Sequence, residues 1–211
     1  MYVQKCFNTI IPESRNRSSV TERPAIPPLS TMLSKFKIHN IKLSLKFVSK
    51  NFFLNRDRID FINEQNKNFT IIKHNSYTFI IFKPKKNEVE QHCNITKIPC
   101  FCSISQSILT FLNLVKSECY IKNIKIDNVT STLNIGKKIV LKKFLQKNYN
   151  KFKYIYHLPE RFPSVFFRLS EEKGTCLFFS SGKIVLVGFS NYMSLISAVK
   201  ICFNSLENYY V

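Results

Sequence analysis

The sequence has no tryptophan and few acidic residues. It carries 13 Asp and Glu against 32 Lys and Arg, which gives a formal net charge of +19 over 211 residues. A balance of this kind predicts a polyanionic partner or an anionic surface, and it favours nucleic acid over lipid. An AT-rich coding sequence would also enrich lysine, asparagine, isoleucine and phenylalanine, so the charge permits a nucleic-acid partner without establishing one.

Long apolar runs are also missing. No segment reaches the roughly 18 to 20 consecutive apolar residues of a membrane span, so no membrane partner is expected. The amino-terminal residues lack the apolar core of a signal peptide, and the seven cysteines are an odd number. We therefore expect free thiols in a reducing compartment.

Motifs for catalysis and metal binding are absent too. The four histidines are scattered without a nucleophile motif, and the segment SSGK at Lys183 lacks the first glycine of a phosphate-binding loop. His92, Cys93, Cys100 and Cys102 suggest zinc, but their spacing fits no ribbon or finger. We expect neither an enzyme nor a bound metal or cofactor.

The order of elements divides the chain into three parts. Residues 12–31 contain four prolines among polar residues, which predicts a flexible tail over residues 1–34. Short strand-like runs follow, among them IPCFCSI, and helical periodicity occurs in SQSILTFLNLVK, GKKIVLKKFLQKN and the closing NYMSLISAVKICFNSLENY. The order appears twice, so we predict one repeat over 35–117 and a second over 118–211.

The segment LFFSSGKIVL predicts a hairpin with a turn at Ser181 and Gly182. Alternation places Val185 and Val187 on one side of its second strand and Ile184 on the other, so both sides are apolar. One layer of helices covers only one side of a sheet. The second side is either an uncovered surface that receives a flat anionic ligand, or core that packs against the first half.

Three segments of the second half resemble the TATA-box-binding protein family. DNVTSTLNIGKKIVLKKF is similar to its first strand and helix, PERFPSVFFRL to the lead into its third strand, and LFFSSGKIVLVG to its strand, turn and strand. The resemblance covers residues 121–210 and is weak over 35–117. It implies an α+β saddle in which two pseudo-symmetric β-α-β4-α repeats, a monomeric pseudo-dimer, form a curved antiparallel sheet with helices on the convex face.

The resemblance also implies roles for residues of the second half. Phe162 and Phe179 match phenylalanines that wedge between base steps, and Asn128 matches an asparagine that binds minor-groove acceptors. At Thr130 the family usually has a valine. Two further sets of residues match the family. The apolar floor is formed by Leu177, Val185 and Val187, where Val187 replaces a usual threonine. The residues that reach phosphates are Arg168, Lys173 and Lys183.

The first half departs further from the family. An offset of about 86 residues places Asn40 opposite Asn128, Tyr77 near Phe162 as a wedge, and Lys97 opposite Lys183. The same offset has three further consequences: Cys93 falls at the second wedge position, Lys42 falls on the apolar floor, and Cys100 and Cys102 become buried thiols facing the helices.

The function implied by the resemblance is transcription initiation on A·T-rich double-stranded promoter DNA, which the saddle binds through the minor groove and bends. The partners would be a factor IIB-like protein and a multisubunit RNA polymerase, in the nucleus or at a viral transcription site. A saddle that acts as a scaffold through protein contacts, having lost strong DNA binding, is the alternative. Single-strand binding is a third interpretation.

Overall fold

A computed structural model describes residues 35–49, 52–84, 89–150, 154–168 and 174–210 of the chain. The predicted tail over residues 1–34 lies outside the described residues. Within those ranges no helix is long and apolar enough to cross a membrane.

The described residues form ten strands and three α-helices. The strands are β1 Phe36–Ser49, β2 Phe61–Asn63, β3 Phe69–His74, β4 Tyr77–Phe82, β5 Glu90–Ile98, β6 Cys119–Asn134, β7 Ile155–His157, β8 Ser164–Arg168, β9 Thr175–Phe179 and β10 Lys183–Phe189. The α-helices are α1 Ile104–Leu114, α2 Leu141–Asn148 and α3 Tyr192–Leu206. Helix α3 begins at an N-cap, where the Asn191 side chain accepts a hydrogen bond from the Ser194 amide at 2.7 Å.

All ten strands join one antiparallel sheet in the order β2-β3-β4-β5-β1-β6-β10-β9-β8-β7. The long strands β1 and β6 lie at the centre and pair with each other, and Ile41 faces Val129 in their middle. Outward from this pair the order of the first half repeats that of the second. The sheet therefore has a pseudo-twofold axis near the pair Ile41 and Val129, and the predicted duplication is present in the strand order.

The three helices pack on the same face of the sheet, which we call the helix-covered face. Phe144 of α2 contacts Phe167 and Phe178 with ring centroids 6.4 and 5.3 Å apart. In the first half, Phe111 of α1 contacts Phe47 and Phe79. These rings are fully buried, so the core lies between the helices and one side of the sheet, and its burial is the main source of stability.

Two predictions about the first half are wrong. The helix expected after its first strand is replaced, in the described residues, by a single 3-10 turn at Arg56–Arg58. The segment IPCFCSI is not a strand, because β5 ends at Ile98 and the chain turns through the 3-10 turn Phe101–Ser103 into α1.

The cysteines near this turn differ from the prediction as well. Cys102 is exposed and Cys100 half-buried, because both follow the end of β5 instead of lying within it. The zinc interpretation also finds no support in the geometry. His92 and Cys93 are consecutive strand residues that point to opposite sides, and the described residues contain no group of three or more His, Cys, Asp or Glu placed to hold a metal.

Thiol modification of the folded protein tests this arrangement. Burial raises the pKa of Cys93 and of Cys202, so both thiols remain protonated and shielded. Partial burial alone would raise the pKa of Cys100, but hydrogen bonds from Cys102 and Ser103 lower it overall. With iodoacetamide at pH 8 and peptide mass spectrometry, we expect Cys100 and Cys102 to be alkylated at least tenfold faster than Cys93 or Cys202. Equal rates in the native state would contradict this burial pattern.

Candidate nucleic-acid interface

The second face of the sheet, which we call the open face, has no described element packed on it. Its side chains alternate with those of the core: in β9 and β10 the half-buried Leu177, Phe179, Val185 and Val187 alternate with the fully buried Cys176, Phe178, Ile184 and Leu186. The interpretation of this side as core packed against the first half does not hold, because both halves lie side by side in the same sheet. An apolar surface of this kind is typical of an interaction site.

An aromatic cluster occupies the open face near the outer end of the second half. Phe162, which is 39% exposed, lies in the turn before β8. Its ring centroid lies 6.0 Å from that of Phe179 and 5.5 Å from that of Phe166. Tyr156 of β7 stacks on Phe166 with centroids 4.7 Å apart. The two predicted wedges therefore stand together on the surface.

The predicted floor and rim of the second half have the expected placement. Val185 pairs with Leu177 across β10 and β9, so both lie on the open face in contact with each other. Arg168 ends β8 and Lys183 begins β10, and both are exposed. These two cations lie at strand ends, on either side of the apolar floor of the second half. The predicted phosphate contact Lys173 lies outside the described residues.

The two asparagines near the pseudo-twofold axis are held in equivalent ways. The Gly188 amide donates to Asn128 Oδ1 at 2.7 Å, and the Lys97 amide donates to Asn40 Oδ1 at 2.6 Å. A backbone N–H can only donate, so each bond fixes the side-chain oxygen toward the sheet and leaves the amide NH2 group available. Asn128 Nδ2 lies 3.4 Å from Thr130 Oγ1, to which it donates. Both asparagines thus present donors on the open face.

This pair of bonds corrects the register of the first half. Gly188 and Lys97 both have positive φ, 84° and 65°, and the backbone amide of each donates to an asparagine side chain. Lys97 therefore corresponds to Gly188 and not to Lys183. A single offset fails because the loops of the two halves differ in length. The placement of Cys93 at a wedge position is therefore wrong, since Cys93 is fully buried on the helix-covered face.

Tyr77 is likewise not a wedge. It is 8% exposed, and its ring meets that of Phe79 on the helix-covered face with centroids 6.3 Å apart. Burial raises its pKa, and the neighbouring Cys100 contributes to the same shift. The prediction placed it on the wrong side because every residue of YTFIIF except Thr78 is apolar, so alternation did not separate the two faces.

A second aromatic pair, missed by the sequence analysis, occupies the corresponding place in the first half. Phe82 is 36% exposed and faces Phe69 across β4 and β3 with centroids 6.2 Å apart. In the second half Phe179 faces Ser164 across β9 and β8, so Phe82 and Phe179 occupy equivalent ladder positions. The sequence contains a signal for this equivalence, since TFIIF at residues 78–82 and TCLFF at 175–179 both begin with threonine and end with phenylalanine.

Comparison with known proteins shows which family this chain resembles. Residues 123–209 match the family model described as transcription factor TFIID, or TATA-binding protein. Over these residues the chain is similar to the TATA-binding protein family. The matching family model describes a transcription factor and not an enzyme, in line with the prediction from the lack of catalytic motifs.

Individual relatives match parts of the chain. TATA-box-binding protein 2 of Entamoeba histolytica is 41% identical over 64 residues, which cover 30% of this chain and 28% of that protein. The TATA-box-binding protein of Sulfurisphaera tokodaii is 31% identical over 86 residues, which cover 41% of each. The chain thus spans about two fifths or less of the length of these curated relatives.

The fold match extends over both halves. The structure of Methanococcus jannaschii TBP superposes with a TM-score of 0.62 at 20% sequence identity, covering 82% of this chain and 98% of that one. The predicted α+β saddle of two pseudo-symmetric repeats is therefore confirmed as the fold.

Two neighbouring residues of β9 test the assignment of the two faces. We expect Phe178→Ala to lower the free energy of unfolding by about 3–5 kcal/mol, because it removes a fully buried ring. Phe179→Ala should cost about 1 kcal/mol, because its ring is half-exposed. Urea denaturation measures both values. Equal losses for the two variants would show that the open face is covered.

Proposed function

We propose that this protein is a TATA-binding-like initiation factor whose open face binds A·T-rich duplex DNA in the minor groove and bends it. The observation that carries the proposal is the pair of exposed aromatic clusters at equivalent positions of the two halves, with donor-presenting asparagines between them. Aromatic wedges partly unstack base steps at a cost of a few kcal/mol each, and bending then brings more protein surface into contact.

The chemistry of the face favours A·T pairs. The minor groove of an A·T pair presents only the acceptors adenine N3 and thymine O2, whereas a G·C pair adds the guanine amino group. Asn40 and Asn128 supply donors for these acceptors. Val185, Val187 and Leu177 supply an apolar floor, against which an amino group would lose its hydrogen bonds to water.

Cations around the face support binding of the phosphate backbone. Arg168 and Lys183 flank the aromatic cluster of the second half. Lys73 faces Thr78 across β3 and β4 as Arg168 faces Thr175 across β8 and β9. Lys173 is proposed as a further phosphate contact. Such contacts give an affinity that falls steeply with salt concentration.

The scaffold alternative rests on the departure of the first half from the family pattern. The corrected register weakens this basis, because Asn40, Phe69 and Phe82 place in the first half the same kinds of group that the second half carries. Single-strand binding is disfavoured because the rings stand at the two ends of the open face and do not form a continuous row of stacking platforms.

From the similarity to the TATA-binding protein family we further propose that the protein works in the nucleus and recruits a factor IIB-like protein and a multisubunit RNA polymerase. The second repeat and the helix side are the surfaces for these contacts. Apolar side chains exposed on the helices, Leu109 of α1 and Met193 of α3, support an interaction there.

Bending of labelled duplexes tests the proposal. We expect the protein to bind an A·T-rich duplex more tightly than a G·C-rich one and to bend it by an angle in the range of roughly 20–90° found with wedging side chains. Phe162→Ala and Phe179→Ala should each reduce the bend, and Phe82→Ala should reduce it at the other end. The measurement is fluorescence energy transfer between dyes at the two duplex ends.

Leu109→Ala is the matched control, since it removes an exposed apolar side chain from the helix side. It should leave affinity and bend unchanged. Duplex affinity without A·T preference or bending, with polymerase association intact in the three phenylalanine variants, would contradict the proposal and favour the scaffold. Stronger competition by unpaired oligonucleotides would favour single-strand binding.

A further inference from the structure

The middle of the open face carries a carboxylate, which is unexpected for a surface that meets DNA. Asp127 precedes Asn128 in β6 and lies at a bulge, since Lys42 of β1 pairs with Asn128 and Leu43 pairs with Ile126. Its side chain is 25% exposed and reaches Lys42 and Ser44, which both belong to the open face. The acid therefore stands within two residues of Val129 at the pseudo-twofold axis.

In the described part of the chain, only one oxygen of this carboxylate has a partner. Lys42 Nζ lies 3.8 Å from Asp127 Oδ2, and the Ser44 hydroxyl donates a hydrogen bond to the same oxygen. Among the described residues, Asp127 Oδ1 has no hydrogen-bond or ion-pair partner. Lys42 offsets the negative charge, and the bond from Ser44 holds the group in place, so the free oxygen is a fixed acceptor beside the donor-presenting Asn128.

Carboxylate chemistry selects one ligand in the minor groove. An ionised carboxylate only accepts hydrogen bonds, while adenine N3 and thymine O2 are also acceptors and repel it. The guanine 2-amino group is the one base-edge donor that the minor groove offers. An Asp127 oxygen facing the groove therefore penalises an A·T pair and stabilises a G·C pair at that position.

The equivalent position of the first half differs. His39 occupies the bulge before Asn40, and its Nε2 lies 2.7 Å from Thr132 Oγ1. Thr132 corresponds to Ser44, so the two contacts are related by the pseudo-twofold axis, but the carboxylate occurs on one side only. The two halves of the face thus have different hydrogen-bonding preferences near the centre.

We propose that Asp127 accepts a hydrogen bond from the 2-amino group of a guanine on one side of the centre of the bound duplex. The inference rests on the proposed function and adds to it: the preferred site is A·T-rich with one central G·C pair, and that pair sets the orientation of the protein on the DNA.

Inosine provides the test, because an I·C pair lacks only the 2-amino group of a G·C pair. A single G·C pair is moved step by step through an A·T-rich duplex, and each duplex is matched with its I·C counterpart in fluorescence anisotropy titrations. At one position near the centre we expect the G·C duplex to bind roughly tenfold more tightly than the I·C duplex, as for one hydrogen bond to a charged acceptor.

Variants connect that preference to the carboxylate. Asp127→Ala should abolish the tenfold preference, while Asp127→Asn, which is isosteric and keeps an acceptor oxygen, should retain part of it. His39→Ala is the matched control at the equivalent bulge and should leave the preference intact. Circular dichroism spectra and urea denaturation establish that all three variants are folded.

The outcomes separate this inference from the proposed function. Equal or tighter binding of the I·C duplex at every position would overturn the role of Asp127 while leaving A·T-rich DNA binding in place. A preference for G·C that persists in Asp127→Ala, or a uniform gain in affinity for all duplexes in that variant, would overturn it too. Failure to prefer any A·T-rich duplex over a G·C-rich one would contradict the proposed function itself.

Discussion

One-sided packing of a single sheet is the constraint on which the rest of the structure depends. All three described helices bury phenylalanine rings against the same side, as Phe144 does against Phe167 and Phe178. Because strand residues alternate, each buried ring fixes its neighbour on the opposite side. The burial of Phe178 thereby determines that Phe179 is presented to solvent, and the same holds along the whole open face. The same alternation of side chains therefore produces both the buried core and the candidate interface.

Local irregularities adapt the centre of that face. A regular ladder would turn every side chain strictly in or out, but the bulges at His39 and Asp127 add side chains to the open face beside the two asparagines. The positive φ of Lys97 and Gly188 directs a backbone N–H at each asparagine oxygen. The outcome is a polar centre between two aromatic ends, and at this centre the carboxylate of Asp127 occurs in one half only.

The second half was largely predictable from sequence, whereas the first half was not. Ser181 and Gly182 form a short turn that pins the register of β9 against β10, so the faces of Val185 and Leu177 followed from alternation. In the first half no two-residue turn joins β4 to β5, and YTFIIF is apolar on both sides, so Tyr77 was assigned to the wrong face. Positive φ at a lysine leaves no sequence signal, and a bulge such as that at Asp127 depends on pairing with a distant strand. Only the structure shows these two features.

The central claim is that the open face, and not the helix side, meets DNA. Hydroxyl-radical footprinting read by mass spectrometry measures this directly, because it reports the solvent access of individual side chains with and without an A·T-rich duplex. The account predicts that Phe162, Phe179 and Phe82 lose reactivity in the complex while Leu109 and Met193 keep theirs. Protection of Leu109 and Met193 with unchanged reactivity of the three phenylalanines would contradict it.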